Sequence, residues 1–314
     1  MTQDTPPPLT LWRMTRPGFL GITVVACLLG IAIAAACGHG PQPWTALATV
    51  LLACLAHAAG NVFNDYHDAI TGTDAVNTEA LRPYTGGAGL IQRAVVTPEQ
   101  TRDLYRLLAF LLAGFGLLLA VRSTGWVLVL GLAGIFLAWA YSAPPLALMR
   151  RGLGELAVAL VWGLVVIGAD AVQRGSVFII PVLTAVSYAL LVANILLICG
   201  VPDAASDART GKRTLAVLLG PQGAALVYLL LASLAHLWLA GGVWLLYQPQ
   251  AALWGLLSWP LSLLAFLLFW QQGRRPQKLK PAIVLTIAAT LLHGLAMAAG
   301  FWGMHRGWNI VPGA

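Results

Sequence analysis

Nine apolar stretches, each close to the length of a bilayer-spanning helix, occupy most of this 314-residue chain. They run Gly18–Gly38, Thr45–Phe63, Leu104–Val121, Trp126–Tyr141, Leu153–Val172, Val177–Cys199, Gly223–Tyr247, Ala251–Trp270 and Ile283–Met304. A helix needs about 20 mostly apolar residues to cross the hydrocarbon layer. Backbone in contact with lipid must satisfy its own hydrogen bonds, so only helices and closed barrels span. Barrel strands would show shorter segments of alternating polarity. Charged residues make up 9% of the chain, against about 25% in a soluble domain. The expectation is an all-α integral membrane protein. It is a bundle of nine transmembrane helices. Residues 1–17 read as a cytoplasmic N-terminal segment, 18–304 as one helical domain, and 305–314 as a short outer tail.

The first residues, "MTQDTPPPLTLWRMTRPG", carry Pro6, Pro7 and Pro8 and show no small-residue cleavage site before the first apolar stretch, so they do not read as a cleaved signal. Their start is expected to be disordered, with Trp12 to Arg16 on the membrane surface. With this end inside, 15 of the 18 Lys and Arg residues fall on the inner side, and only Arg122, Arg174 and Arg306 fall outside. Positive residues concentrate on the cytoplasmic side of membrane proteins, which sets the orientation; the membrane is expected to be a bacterial inner (cell) membrane, with the site on its cytoplasmic side. The net charge of +7 is then accounted for by topology and by attraction to anionic lipid heads. No nucleic-acid partner is expected.

The four cysteines, Cys27, Cys37, Cys54 and Cys199, sit in or at the ends of apolar stretches with no C-x-x-C spacing and read as membrane-packed thiols rather than a disulfide or metal set. His57 and His293 lie inside predicted helices and read as packing or hydrogen-bonding groups. His67 lies within an acidic run but is not expected to be a ligand, because hard cations prefer oxygen.

Only 11 residues are acidic, and they are unevenly placed. The second apolar stretch runs into "NVFNDYHDAITGTD", and the sixth into "VPDAASDARTGKRT". Asp65 and Asp68 stand at i, i+3, and Asp203 and Asp207 at i, i+4. Both spacings place a carboxylate pair on one helix face. Asn61 and Asn64 precede the first pair by one turn and share its stripe. "DAITG" at Asp68–Gly72 echoes "DARTG" at Asp207–Gly211, as if an internal repeat supplied one half-site per copy. A single acidic loop at a helix end is ordinarily solvated surface. Two on the same side, at helical spacing and with cations beside them, read as a site. Four carboxylates facing one cavity repel unless cations lie between them. Mg²⁺ suits that role, since it takes few carboxylates, keeps waters and binds substrate phosphates. Arg82, Arg150, Arg151, Lys212 and Arg213 project from the same inner loops. Arginine grips phosphate with a bidentate fork and lysine acts as a point charge. The pattern predicts a Mg²⁺–diphosphate site at the membrane boundary, suited to an amphiphile with a diphosphate head and a lipid tail. Ionisation of such a substrate leaves diphosphate and an allylic carbocation, the departing charge being stabilised by the metal.

At these residues the chain resembles the UbiA superfamily of intramembrane prenyltransferases, over nearly its whole length. "NVFNDYHDAITGTD" is similar to that family's N-x-x-x-D-x-x-D run. The placement of Asp74 after Gly72 in "GTD" is similar to the branch that prenylates 1,4-dihydroxy-2-naphthoate in menaquinone synthesis. "YSAPPLALMRRGLGE" and "GKRTLAVLLG" also resemble that branch, and "RPYTGGAGLIQRAVVTPEQ" resembles the family's loop between helices two and three, which implies a small cytoplasmic cap formed by the loops after helices 2 and 6. The resemblance implies Mg²⁺ ligation by Asn61, Asp65, Asp68, Asp203 and Asp207, and diphosphate binding by Lys212, Arg82, Arg150 and Arg151. It implies a polyprenyl diphosphate donor and an aromatic acceptor, 1,4-dihydroxy-2-naphthoate first, with 4-hydroxybenzoate or another acceptor as the alternative. One position departs from the family pattern: Cys199 stands where the second motif usually has an asparagine, and Cys is a poor Mg²⁺ ligand. From depth alone, the isoprenoid tail is expected among Phe63, Leu190 and Val192.

Two other classes have partial claims. A secondary transporter could use paired acids and an internal repeat for ion coupling, but would place them near the bilayer midplane. Here the acids lie at helix ends, and Asp170, near the outer end of the fifth helix, reads as a solvated loop residue. A lipid-head transferase of the CDP-alcohol type would also pair aspartates, but its D-G-x-x-A-R signature is absent.

Overall fold

The computed structural model describes residues 6–307; the expectation of disorder at the extreme N-terminus lies largely outside them. Ten α-helices follow one another, and no strand occurs among the described residues. They are α1 (Pro8–Met14), α2 (Leu20–Ala36), α3 (Pro43–Ile70), α4 (Pro98–Arg122), α5 (Trp126–Ser142), α6 (Gly154–Arg174), α7 (Ile179–Arg209), α8 (Leu215–Trp244), α9 (Trp259–Gln272) and α10 (Lys280–His305). Eight helical spans are long and apolar enough to cross a membrane. The fourth apolar stretch of the sequence, Trp126–Tyr141, forms α5, a shorter helix of 17 residues. The chain is an integral membrane protein.

Local chemistry sets the boundaries. α4 starts at a reciprocal cap: Gln100 N–H donates to Thr97 Oγ1 at 3.2 Å, and the Gln100 side chain accepts from Thr97 N–H at 2.9 Å, the capping-box arrangement that satisfies two orphan donors. α8 is broken at Gly220, whose backbone is left-handed immediately before Pro221. That break is why the sequence pattern places the seventh apolar stretch only from Gly223. α7 continues through Pro202, so one backbone acceptor loses its helical donor just before the second acidic pair.

The bundle has two distinct ends. At one, the loops 71–97, 143–153, 210–214 and 273–279 meet, as Arg213 N–H bonding to the Arg150 carbonyl and the Gln277 amide to the Glu79 carbonyl demonstrate. At the other, Gln42 N–H donates to Gln173, Thr124 to the Gly175 carbonyl, and His305 sits 2.9 Å from the Ala35 carbonyl. The main core lies among α2, α6, α7, α8, α9 and α10, with Tyr188, Tyr228, Phe269 and Phe301 fully buried. The N-terminal segment differs from the surface-lying expectation: Met14 is buried with Val62, Leu90 and Val96, which docks α1 onto α3 and the long loop. The four cysteines are free, as the sequence pattern implies.

Asp170 is a correction. It is not a solvated loop residue but a fully buried residue inside α6, with Arg174 Nη1 3.5 Å from its Oδ1. A lone carboxylate there would be far too costly. The i, i+4 arginine is its counter-ion, and the pair sits at the end opposite the two motifs.

Candidate functional site

Both acidic motifs ride on the last turns of long helices that end in the same way. α3 stops at Ile70 and α7 at Arg209, each followed by a threonine and then by a left-handed glycine, Gly72 or Gly211. Thr73 N–H reaches back to the Asp68 carbonyl at 3.0 Å, and Lys212 N–H to the Asp207 carbonyl at 2.8 Å, the long return bond of a glycine-terminated helix. The short sequence echo is thus a repeated helix terminus. The Thr73 and Thr210 hydroxyls, 3.2 Å apart, join the two ends.

That join brings three motif residues together. Lys212 Nζ lies 3.3 Å from Asp68 Oδ1 and 3.4 Å from Asp207 Oδ1, and all three residues are buried. Burial alone pulls the ammonium toward neutrality, but Asp68 and Asp207 outweigh it and hold the Lys212 pKa above the usual lysine range. Asn64 Nδ2 donates to Asp68 Oδ2 at 3.0 Å. Asp65, on the same helix face, has one oxygen on the Arg16 guanidinium and the other on Ala88 N–H at 3.1 Å. Asp203 accepts from Asn77 Nδ2 at 2.7 Å and from Gly86 N–H at 2.9 Å. Loop 71–97 therefore supplies donors to both motifs. Its close approach needs glycine: Gly87 has φ +64, and a Cβ there would stand 2.7 Å from Asp65 Oδ1 and 3.0 Å from Asp74 Oδ2. Asp74 is itself buried, and burial, reinforced by the negative charge of Asp68, pushes its pKa up to about 6.

The other predicted residues lie nearby with different partners. Asn61 Nδ2 donates to the Thr15 carbonyl at 2.9 Å. Arg150 donates to the Thr210 carbonyl at 2.8 Å, so it braces the second helix terminus. Arg151 donates to the Pro145 carbonyl at 2.6 Å, and Arg82 is exposed, its guanidinium over Gly89. None of these three arginines pairs with a carboxylate among the described residues. Sequence reasoning missed Arg16, Asn77 and the amides of Gly86 and Ala88. Arg16 shows no periodic signal; its inward aim follows from the docking of Met14 and a left-handed backbone at φ 51.

The carboxylates pair with cations and amides rather than with one another, and among the described residues no three acidic, histidine or cysteine groups converge as placed. The charge balance still calls for more cation. Four buried carboxylates, Asp65, Asp68, Asp74 and Asp207, and the half-buried Asp203 face Arg16 and Lys212 alone. The donor set is all oxygen, the chemistry of a hard divalent cation.

From this acidic end a cavity of about 720 Å³ descends between α2, α3, α4, α5, α6 and α7. Arg16, Asn61, Asn64, Tyr84 and Tyr141 line its polar mouth, and its depth is apolar, with Phe63 and Val192 among the walls. Leu190 is not among them; it packs against the main core, since it points from α7 away from the cavity side. Cys199 does line the cavity.

An all-helical membrane bundle with paired acids over an apolar cavity defines an intramembrane enzyme class rather than a soluble one. The chain belongs to the UbiA prenyltransferase family, whose model matches residues 23–290, and it is a prenyltransferase. It is 31% identical to the 1,4-dihydroxy-2-naphthoate octaprenyltransferase of Mycobacterium tuberculosis, over 90% of this chain and 93% of that protein. Its fold is similar to that of a UbiA homolog from Aeropyrum pernix K1, with TM-score 0.68 at 20% identity, covering 88% of this chain and 96% of that one. A UbiA homolog from Archaeoglobus fulgidus bound to GPP and Mg²⁺ has a similar fold, with TM-score 0.59 at 17% identity, covering 92% and 99%.

Proposed function

We propose that this enzyme transfers a polyprenyl group from polyprenyl diphosphate to 1,4-dihydroxy-2-naphthoate, with Mg²⁺ as cofactor. The observation that carries the reading is the junction of an acidic, cation-poor mouth with an apolar cavity. A diphosphate head suits the first and an isoprenoid tail the second. The acceptor rests on the naphthoate relative and on Asp74 in "GTD"; 4-hydroxybenzoate is the alternative. The Archaeoglobus homolog bound to GPP and Mg²⁺ supports the choice of donor and ion.

Asp65, Asp68, Asp203 and Asp207, with Asn61, would hold Mg²⁺, which when bound neutralises charge on the departing diphosphate. Lys212 and Arg16 already lie among these carboxylates. A diphosphate entering the mouth exchanges their carboxylate contacts for phosphate contacts, and Asn64 orients Asp68 meanwhile. Arg82, Arg150 and Arg151 add positive potential at the rim. The apolar walls keep water from the allylic cation, so the electron-rich ring attacks in its place. Cys199 packs beside this path, and no metal role is assigned to it.

Residues 18–304 form the catalytic domain, with α5 as its ninth span. Residues 6–17 and loop 71–97 lie on the cytoplasmic face of a bacterial inner membrane, and 305–307 lie on the outer side; the rest of the expected N-terminal segment and outer tail falls outside the described residues. Purified protein incubated with Mg²⁺, a polyprenyl diphosphate and a panel of aromatic acceptors, read by mass spectrometry, tests the reading. Prenylated naphthoate is expected; preferred prenylation of 4-hydroxybenzoate would replace the acceptor, and no prenylated product would end the proposal.

A further inference from the structure

The wall of the cavity carries two polar groups that the diphosphate site does not use. His57 lies on α3 one turn before Asn61 and two turns before Asp65, about 12 Å from Asp65 along the helix axis at 1.5 Å per residue. Its Nδ1 is 2.8 Å from Thr23 Oγ1 of α2, which fixes the ring. Nε2 has no hydrogen-bond partner among the described residues. Trp162, on α6, meets the His57 ring edge-on with centroids 4.9 Å apart, and its indole N–H is buried without a partner. Thr23, His57 and Trp162 all line the cavity.

A buried indole N–H without a partner is costly unless a ligand satisfies it, and the imidazole Nε2 beside it is free to share that ligand. A hydrocarbon tail offers neither donor nor acceptor. A hydroxyl offers both. In the tautomer that donates Nδ1–H to Thr23, His57 Nε2 is an acceptor, and Trp162 Nε1–H is a donor. We propose that His57 and Trp162 form the acceptor subsite, which binds a ring hydroxyl of the aromatic substrate and holds the ring below the diphosphate. This rests on the prenyltransfer reading above and adds to it the group that recognises the acceptor. The His57–Asn61–Asp65 stripe of α3 then spans the reaction, with acceptor at one end and diphosphate at the other.

The test measures KM for both substrates with the full-length enzyme in detergent, using 1,4-dihydroxy-2-naphthoate and a polyprenyl diphosphate. His57→Phe keeps the ring and removes its nitrogens. It is expected to raise the acceptor KM about tenfold or more, with the donor KM within about twofold, since a site built around a hydroxyl discriminates through the groups left unpaired. Trp162→Phe should act in the same direction. Thr23→Val, which keeps the side-chain shape and removes only the hydroxyl that fixes the imidazole, should give a smaller rise of about threefold, and it carries the test alone if His57→Phe does not fold. An unchanged acceptor KM, or a change confined to the donor KM or to tail-length preference, overturns the subsite while leaving the prenyltransfer reading intact. A wild-type enzyme that prenylates no aromatic acceptor overturns both.

Discussion

Lys212 Nζ lies 3.3 Å from Asp68 Oδ1, although 144 residues separate the two in sequence. The same ammonium reaches Asp207, so one buried cation holds the two acidic motifs together. Removing one partner of a buried charge network costs about 3–5 kcal/mol, because the remaining charges stay uncompensated. Lys212→Met keeps most of the volume and discards the charge. It is expected to lower the unfolding temperature in detergent, more in EDTA than in Mg²⁺, and to reduce prenyl transfer at least about a hundredfold, or about 2.7 kcal/mol in the barrier. Wild-type stability in EDTA would show that the lysine is not the clamp.

The two motifs should behave as one unit. Asp65→Ala and Asp207→Ala are each expected to cost activity about a hundredfold or more, on the order of 3 kcal/mol. The double variant should fall well short of the summed loss, as residues of one catalytic group do. Asp170→Asn is the contrast. It leaves Arg174 buried without its counter-ion, so it should lower the unfolding temperature. KM for both substrates should stay near wild type, because it sits at the far end of the bundle. Additive losses at Asp65 and Asp207 would mean two independent sites.

Divalent dependence follows from the excess of buried carboxylate over cation. EDTA is expected to abolish transfer and Mg²⁺ to restore it, followed by product formation from the isoprenoid donor. Turnover at the full rate in excess chelator would exclude the metal-assisted reading.

Much of this arrangement was legible from the chain. The apolar stretches mark the helices because lipid leaves the backbone no other partner, and the helical spacing of Asp65/Asp68 and Asp203/Asp207 marks the two half-sites. Arg16, Asn77 and Gly86 were not legible. Arg16 is aimed by the packing of Met14, and Gly86 contributes a backbone N–H, which no side-chain pattern encodes. Arg82, Arg150 and Arg151 are cations at the correct end, yet their side chains bond carbonyls or face solvent, and side-chain direction depends on the turns that carry them. Asp170 was misplaced by treating a helix edge as solvent, although Arg174 four residues on was the visible sign of a buried pair.

Asp74 gives a pH signature. Its carboxyl is held up to about 6 by burial and by Asp68, above the usual value near 3.9. The folded state thus favours the neutral form, and ionisation above that pH is a cost to folding. The cost is absent below about pH 4, grows as pH rises to about 6, and is constant beyond. Asp74→Asn removes it. Without divalent ions, the variant should therefore gain stability over wild type between pH 4.5 and 7, by up to about 3 kcal/mol at one pKa unit per 1.36 kcal/mol. A difference independent of pH would show that Asp74 is ionised throughout.

The concentration of Lys and Arg at the motif end predicts that this end faces the cytoplasm. The probe must not disturb the loop it reports on. Gly86 is unsuitable: its φ is +67, its N–H binds Asp203, and a Cβ would stand 2.5 Å from that of Ala80. Arg93 is also unsuitable, since its guanidinium bonds the Gly89 and Ala88 carbonyls; Thr78 is exposed on the same loop. Thr78→Cys, in a background with Cys27, Cys37, Cys54 and Cys199 replaced, should resist a membrane-impermeant thiol reagent in intact cells and react in inside-out vesicles. A second cysteine at Thr124, at the opposite end beside Gly175, should show the reverse. Labelling of Thr78→Cys from outside intact cells, with Thr124→Cys protected, would invert the bundle and require the diphosphate donor to arrive from the other side of the membrane.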